Sequence, residues 1–204
     1  MSGLRVAVVI SGRGSNLMAL HKAAADQGYE ITGVVSNRSD APGLDYARAQ
    51  ALPTALVDHR RYGSREAFDE ALAAAIDRYE PEIVALAGFL RILGPSFVRH
   101  YAGRLVNIHP SLLPAFPGLD THARALAAGA TRHGASVHFV TDALDAGPVI
   151  AQAELAVAPD ETPEHLAQRV LALEHVLYPK ALGLIARGQI PLETRGGPRA
   201  RERG

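Results

Sequence analysis

The stretch Leu4-Arg5-Val6-Ala7-Val8-Val9-Ile10-Ser11-Gly12-Arg13-Gly14-Ser15-Asn16 decides the fold class. Its first part is apolar apart from Arg5 and rich in Val and Ile, which predicts a strand buried on both faces of a parallel sheet. A Gly-x-Gly turn follows at once and leads into a helical stretch over residues 17–25. That order brings free backbone N–H groups and the positive end of a helix dipole to one spot, which suits a phosphate. Gly12 permits the tight turn and Gly14 lets a phosphate approach the backbone. A purely structural turn is the other reading. A dinucleotide site is a third. The last position of a Gly-x-Gly-x-x-Gly fingerprint is Leu17 here, and the next strand (residues 31–36) runs into Asn37 and Arg38 rather than an acidic residue. NAD is therefore disfavoured, while Arg38 leaves NADP open.

Working outward, residues 53–57, 83–87 and 105–109 repeat the short apolar run of a buried strand. Residues 43–50 and 122–128 read as helices. Ser64 is a helix N-cap with Glu66 in the first turn, and Ala67, Leu72 and Ile76 supply an apolar stripe. Residues 135–140 and 148–157 alternate as strands without a long crossover between them, so they are expected to be antiparallel. Thr162-Pro163-Glu164 opens a final helical region with Leu166, Val170, Leu173, Leu177, Ala181 and Leu184 at helical spacing; Pro179 is expected to kink it or restart it as a second helix. The fold class is thus α/β: a single domain with a mostly parallel twisted sheet, helices on both faces and antiparallel C-terminal strands. Residues 1–189 are expected to form it, and 190–204 a flexible tail.

The chain has 204 residues, a formal net charge of zero and no cysteine. Zero net charge argues against non-specific nucleic-acid or membrane binding, and the absence of Cys excludes disulfides, thiolate metal sites and a cysteine nucleophile. The early apolar run is too short to span a bilayer, and the cytoplasm is the expected location.

Three further stretches carry candidate chemistry. Arg104-Leu105-Val106-Asn107-Ile108-His109-Pro110 ends a strand with two polar side chains at alternate positions, hence on one face, where an amide N–H and an imidazole can meet one reacting oxygen. Two satisfied polar groups in a turn are the alternative. In open α/β sheets ligands bind beyond the carboxyl ends of strands. The apolar loop over residues 88–95 stands at another such end, where Leu90, Ile92 and Leu93 either wall a flat heteroaromatic ligand or cover the core. Thr141-Asp142-Ala143-Leu144-Asp145 is the carboxylate source beside the last strands, or a solvated turn. Glu174 falls on the apolar stripe of the last helix, so it needs a ligand or a structural partner such as an Arg. His122, His133 and His138 read as structural or surface groups.

Together, Ile-Ser-Gly-Arg-Gly-Ser-Asn ending at Asn16, Ala-Gly-Phe-Leu-Arg-Ile-Leu from Ala87, Asn-Ile-His-Pro-Ser-Leu-Leu-Pro from Asn107 and Val-His-Phe-Val-Thr-Asp-Ala-Leu-Asp-Ala-Gly-Pro-Val-Ile from Val137 resemble the phosphoribosylglycinamide formyltransferases, folate-dependent transformylases of purine biosynthesis. The resemblance runs to about Gln189 and implies a Rossmann-like formyltransferase fold. It further implies formyl transfer from 10-formyltetrahydrofolate to glycinamide ribonucleotide, without a metal, in a monomer or homodimer. Residue by residue it implies Asn107, His109 and Asp145 as the catalytic set. Gly12, Gly14, Ser15, Asn16 and Glu174 would hold the ribonucleotide; Arg65, Leu90, Arg91, Ile92, Leu93, Asn107, Thr141, Asp142, Ala143, Leu144 and Asp145 would surround the folate. Asp120 departs from the pattern, where some members carry His. A carboxylate beside an imidazole favours its charged form, so Asp145 is expected to keep His109 a donor. A deformylase using the same triad is the nearest rival, expected to carry an added N-terminal region; a transformylase for initiator tRNA is expected to carry a C-terminal RNA-binding domain.

Overall fold

The structure, a computed structural model, describes residues 3–192. In chain order it contains β1 (Leu4–Ile10), α1 (Ser15–Gln27), β2 (Tyr29–Ser36), α2 (Pro42–Ala49), β3 (Thr54–Leu56), α3 (Arg65–Asp77), β4 (Ile83–Leu86), α4 (Pro95–His100), β5 (Leu105–His109), α5 (Thr121–Ala127), β6 (Arg132–Phe139), β7 (Val149–Ala156) and α6 (Pro163–Ala186). The strands form one sheet in the order β3-β2-β1-β4-β5-β6-β7. β3 to β5 run parallel, and β6 is antiparallel to both its neighbours. The expected α/β architecture is therefore the observed one.

Period two along β1 divides the core between the two faces of the sheet. Val6, Val8 and Ile10 pack with Leu17 and Leu20 of α1 and with Val170, Tyr178 and Leu182 of α6. Ala7 and Val9 pack with Phe68, Leu72 and Ile76 of α3 and with Phe97 and Val98 of α4. Strand order reverses between β1 and β4, and the carboxyl ends of β1, β4 and β5 open side by side.

Several local expectations change. Ser64 does cap α3, its hydroxyl accepting from the Ala67 N–H. Ala67 itself is exposed, however, and Phe68 begins the buried stripe that continues through Leu72 and Ile76. Pro179 neither ends nor restarts α6, which runs unbroken from Pro163 to Ala186. Burial of Leu177, Tyr178, Ala181 and Leu182 around it outweighs one missing backbone hydrogen bond. Within the stretch expected to be a flexible tail, Ile190 and Leu192 pack against the first core cluster. The rest of that stretch lies outside the described residues. Among the described residues no helix is long and apolar enough to cross a membrane.

Candidate active site

Gly14 takes a left-handed conformation (φ 73°) as the N-cap of α1, and a Cβ on it would sit 2.7 Å from the Gly43 Cα at the start of α2. Packing alone thus demands glycine at 14. At Gly12 a Cβ would meet nothing within 4 Å, so the turn is open on that side. Arg38, the residue that left NADP open, pairs its guanidinium with both oxygens of Asp40 (3.0 and 2.7 Å) and is outside the lining of the cleft described below.

In the first turn of α1, the buried Asn16 donates from Nδ2 to Glu174 Oε2 at 2.7 Å, while its Oδ1 is buried with no hydrogen-bond partner among the described residues. Glu174 therefore has an amide as its partner, and among the described residues no Arg forms an ion pair with it. Burial pushes the Glu174 carboxyl above the usual carboxylate range, and the Asn16 hydrogen bond pulls it partly back.

At the end of β5, Asn107 and His109 share the face predicted from their spacing. Asn107 stands opposite His138 of β6, with Nδ2 3.4 Å from His138 Nε2. His138 Nδ1 lies 3.0 Å from the Phe139 carbonyl, which can only accept, so in the neutral ring Nε2 is the acceptor that orients the Asn107 amide. Burial pushes His138 down from the usual histidine value, with Asp145 opposing. His109 is buried, with Nε2 3.1 Å from the Phe116 carbonyl and Nδ1 3.4 Å from Asp145 Oδ2. The Phe116 carbonyl can only accept, so Nε2 is the donor in that contact. Asp145 Oδ2 also accepts the Gly118 N–H at 2.8 Å, and its Oδ1 lies 3.8 Å from His138 Nε2.

These groups line a cleft of about 780 Å³. Asn16 and Glu174 sit in it with Asn107, His109, His138 and Asp145, and Leu90, Arg91, Ile92, Leu93 and Thr141 to Leu144 complete its walls. Leu90 and Ile92 are 79% and 70% exposed, so they do not cover the core, the reading that competed with a ligand wall. Gly12, Gly14 and Ser15 are outside the lining and adjoin it through Asn16; Arg65 is outside it too, 3.9 Å from Glu66. The structure brings His138 into the site, although it reads from sequence as a structural or surface group. Its signal is its register opposite Asn107, which the sequence alone does not supply. His122 also lines the cleft and contacts His133 (3.2 Å between Nδ1 and Nε2). Among the described residues no group of His, Asp and Glu is arranged to hold a metal ion.

Residues 4–182 match the formyl transferase family model. Over 93% of its length the chain is 47% identical to the phosphoribosylglycinamide formyltransferase of Escherichia coli K12, covering 90% of that protein. It is 42% identical, over 94% of its length, to a part of the human trifunctional purine biosynthetic protein adenosine-3, 19% of which it covers. Among solved structures, phosphoribosylglycinamide formyltransferase from Coxiella burnetii superposes with a TM-score of 0.87 at 52% identity, covering 92% of this chain and 89% of that one. Glycinamide ribonucleotide transformylase 1 from Symbiobacterium toebii gives a TM-score of 0.89 at 41% identity, over 95% and 92% of the two chains.

Proposed function

The chain belongs to the formyl transferase family, and from that premise we propose that it transfers the formyl group of 10-formyltetrahydrofolate to the amine of glycinamide ribonucleotide in purine biosynthesis. The observation that carries this reading is the convergence of Asn107, His109 and Asp145 on one cleft between the buried Asn16–Glu174 pair and the apolar loop after β4. The ribonucleotide takes the first end: its phosphate meets the N-terminus of α1 at Gly12, Gly14 and Ser15, and its donor groups meet Asn16 Oδ1 and Glu174. The folate ring takes the other, against Leu90, Arg91, Ile92 and Leu93 and the loop Thr141, Asp142, Ala143, Leu144 and Asp145, with Arg65 beyond the rim.

The amine nitrogen attacks the formyl carbon, and the carbonyl oxygen becomes an oxyanion. Asn107 Nδ2–H donates to it, and His109 Nε2–H exchanges the Phe116 carbonyl for it. Collapse of the tetrahedral intermediate breaks the bond to the folate nitrogen, and Asp145 relays the proton lost by the amine to that leaving nitrogen. The step as written uses neither a metal nor a covalent enzyme intermediate.

The test is a spectrophotometric assay of folate turnover with and without glycinamide ribonucleotide, on the native chain, His109→Ala and Asp145→Asn. Turnover that requires the ribonucleotide and collapses in both variants is expected. Equal turnover without the ribonucleotide would make the protein a hydrolase.

A further inference from the structure

The loop between β4 and α4 holds two large aliphatic side chains in solvent, against the hydrophobic effect, with no regular backbone pairing of its own. Phe89 and Leu93 turn inward against the α3 side of the core, while Leu90 and Ile92 turn outward. A side-chain acceptor from another element meets the loop at each end. At the near end the Leu90 N–H donates to Ser11 Oγ at 3.0 Å; Ser11 is buried and immediately precedes the Gly12 turn. At the far end the Gly94 N–H donates to Asp69 Oδ2 at 2.7 Å. A Cβ on Gly94 would lie 2.9 Å from that oxygen, so the two elements approach closely at this point. The other Asp69 oxygen is buried with no hydrogen-bond partner among the described residues, which is costly for a group retained only to fill space, although Arg65 and Arg91 are near enough to act on its charge.

We propose that Ser11 and Asp69 are positioning residues for the formyl-folate: by fixing the amides at the two ends of this loop they hold Leu90 to Leu93 as a preformed wall for the flat ring. This rests on the reading of the cleft as a folate site. Neither side chain touches the ligand in this arrangement. Preorganisation of the wall removes an ordering cost from binding, so its loss falls on folate affinity rather than on the chemical step.

The experiment is calorimetric titration of tetrahydrofolate, and separately of glycinamide ribonucleotide, into the native protein, Ser11→Ala, Asp69→Ala and Asp69→Asn, with a thermal melt of each. Ser11→Ala and Asp69→Ala are expected to weaken tetrahydrofolate binding by about threefold to tenfold, the equivalent of one net hydrogen bond. Ribonucleotide affinity should stay within about twofold, the change that a surplus of only a few tenths of a kcal/mol would bring. Asp69→Asn retains an acceptor for the Gly94 N–H and should bind the folate as the native protein does. Unchanged folate affinity in both alanine variants, or an equal loss of ribonucleotide affinity, would overturn the proposal. If Asp69→Ala does not fold, Ser11→Ala decides the outcome. Native protein that binds the ribonucleotide but no tetrahydrofolate would overturn the folate reading itself, an outcome distinct from native binding with unchanged variants.

Discussion

Asp145 sits in the left-handed region (φ 49°), a conformation that a non-glycine residue keeps only when its surroundings hold it there. The Gly118 N–H and the His109 ring are those surroundings. Asparagine at this position keeps the shape and removes the charge, so Asp145→Asn is expected to lower kcat by about 10²–10⁴-fold while folate affinity changes little. Steady-state kinetics with a parallel binding titration separates the two. Glu174 makes a pH-dependent prediction. Its carboxyl is raised by burial, so it loses its charge at a higher pH than a free glutamate does. KM for the ribonucleotide should therefore rise as the pH falls through that raised value, and Glu174→Gln should flatten the profile. At this scale the shared face of Asn107 and His109 was legible because it follows from spacing within one strand, while Asp145 joined them only through the resemblance. His138 was not legible, because what gives it a role is a neighbour on another strand.

The elements that build the site differ in how openly they declare themselves. β1 from Val6 onward and β4 are buried on both faces and appear in the sequence as unbroken apolar runs. α4 spans six residues opened by a proline, too short for a helical period to register. The unbroken course of α6 through Pro179 is a tertiary effect: Tyr178, next to that proline, is fully buried, with its hydroxyl 3.1 Å from both the Leu86 and the Val106 carbonyls. The same face, one turn earlier, carries Glu174 into the cleft. α3 depends on local chemistry instead, since the Ser64 hydroxyl satisfies one of its free N-terminal amides at 3.1 Å. Ser64→Ala should therefore cost about 1 kcal/mol of stability, measured from urea unfolding. A loss well below that would mean that water replaces the cap at no cost.

For the whole molecule, the order of the strands is what gathers the loops after β1, β4 and β5 at one edge, and strand order is a non-local property that no single stretch states. The same assembly buries histidines around the site, and this couples global stability to acid. His133 is 1% exposed, and burial, with His122 and His109 nearby, pushes it from 6.5 down to about 4. Between those values the unfolded chain binds a proton that the folded chain does not, so the stability His133 contributes is full above 6.5 and is lost as pH falls towards 4. His122, His138 and His175 are shifted in the same direction by burial. Glu174 and Asp69 are raised, so each favours the folded state at low pH and loses that contribution as pH rises, which opposes the histidines. The wild-type slope is therefore a net quantity, and a comparison with His133→Asn isolates one proton. The variant gives up the His122 contact and should be less stable at neutral pH. On acidification the gap between the two proteins should narrow, at up to about 1.4 kcal/mol per pH unit. Urea unfolding of both proteins at half-unit steps of pH measures that gap directly. A gap that stays constant would mean that His133 takes up its proton in the folded protein as readily as in the unfolded chain.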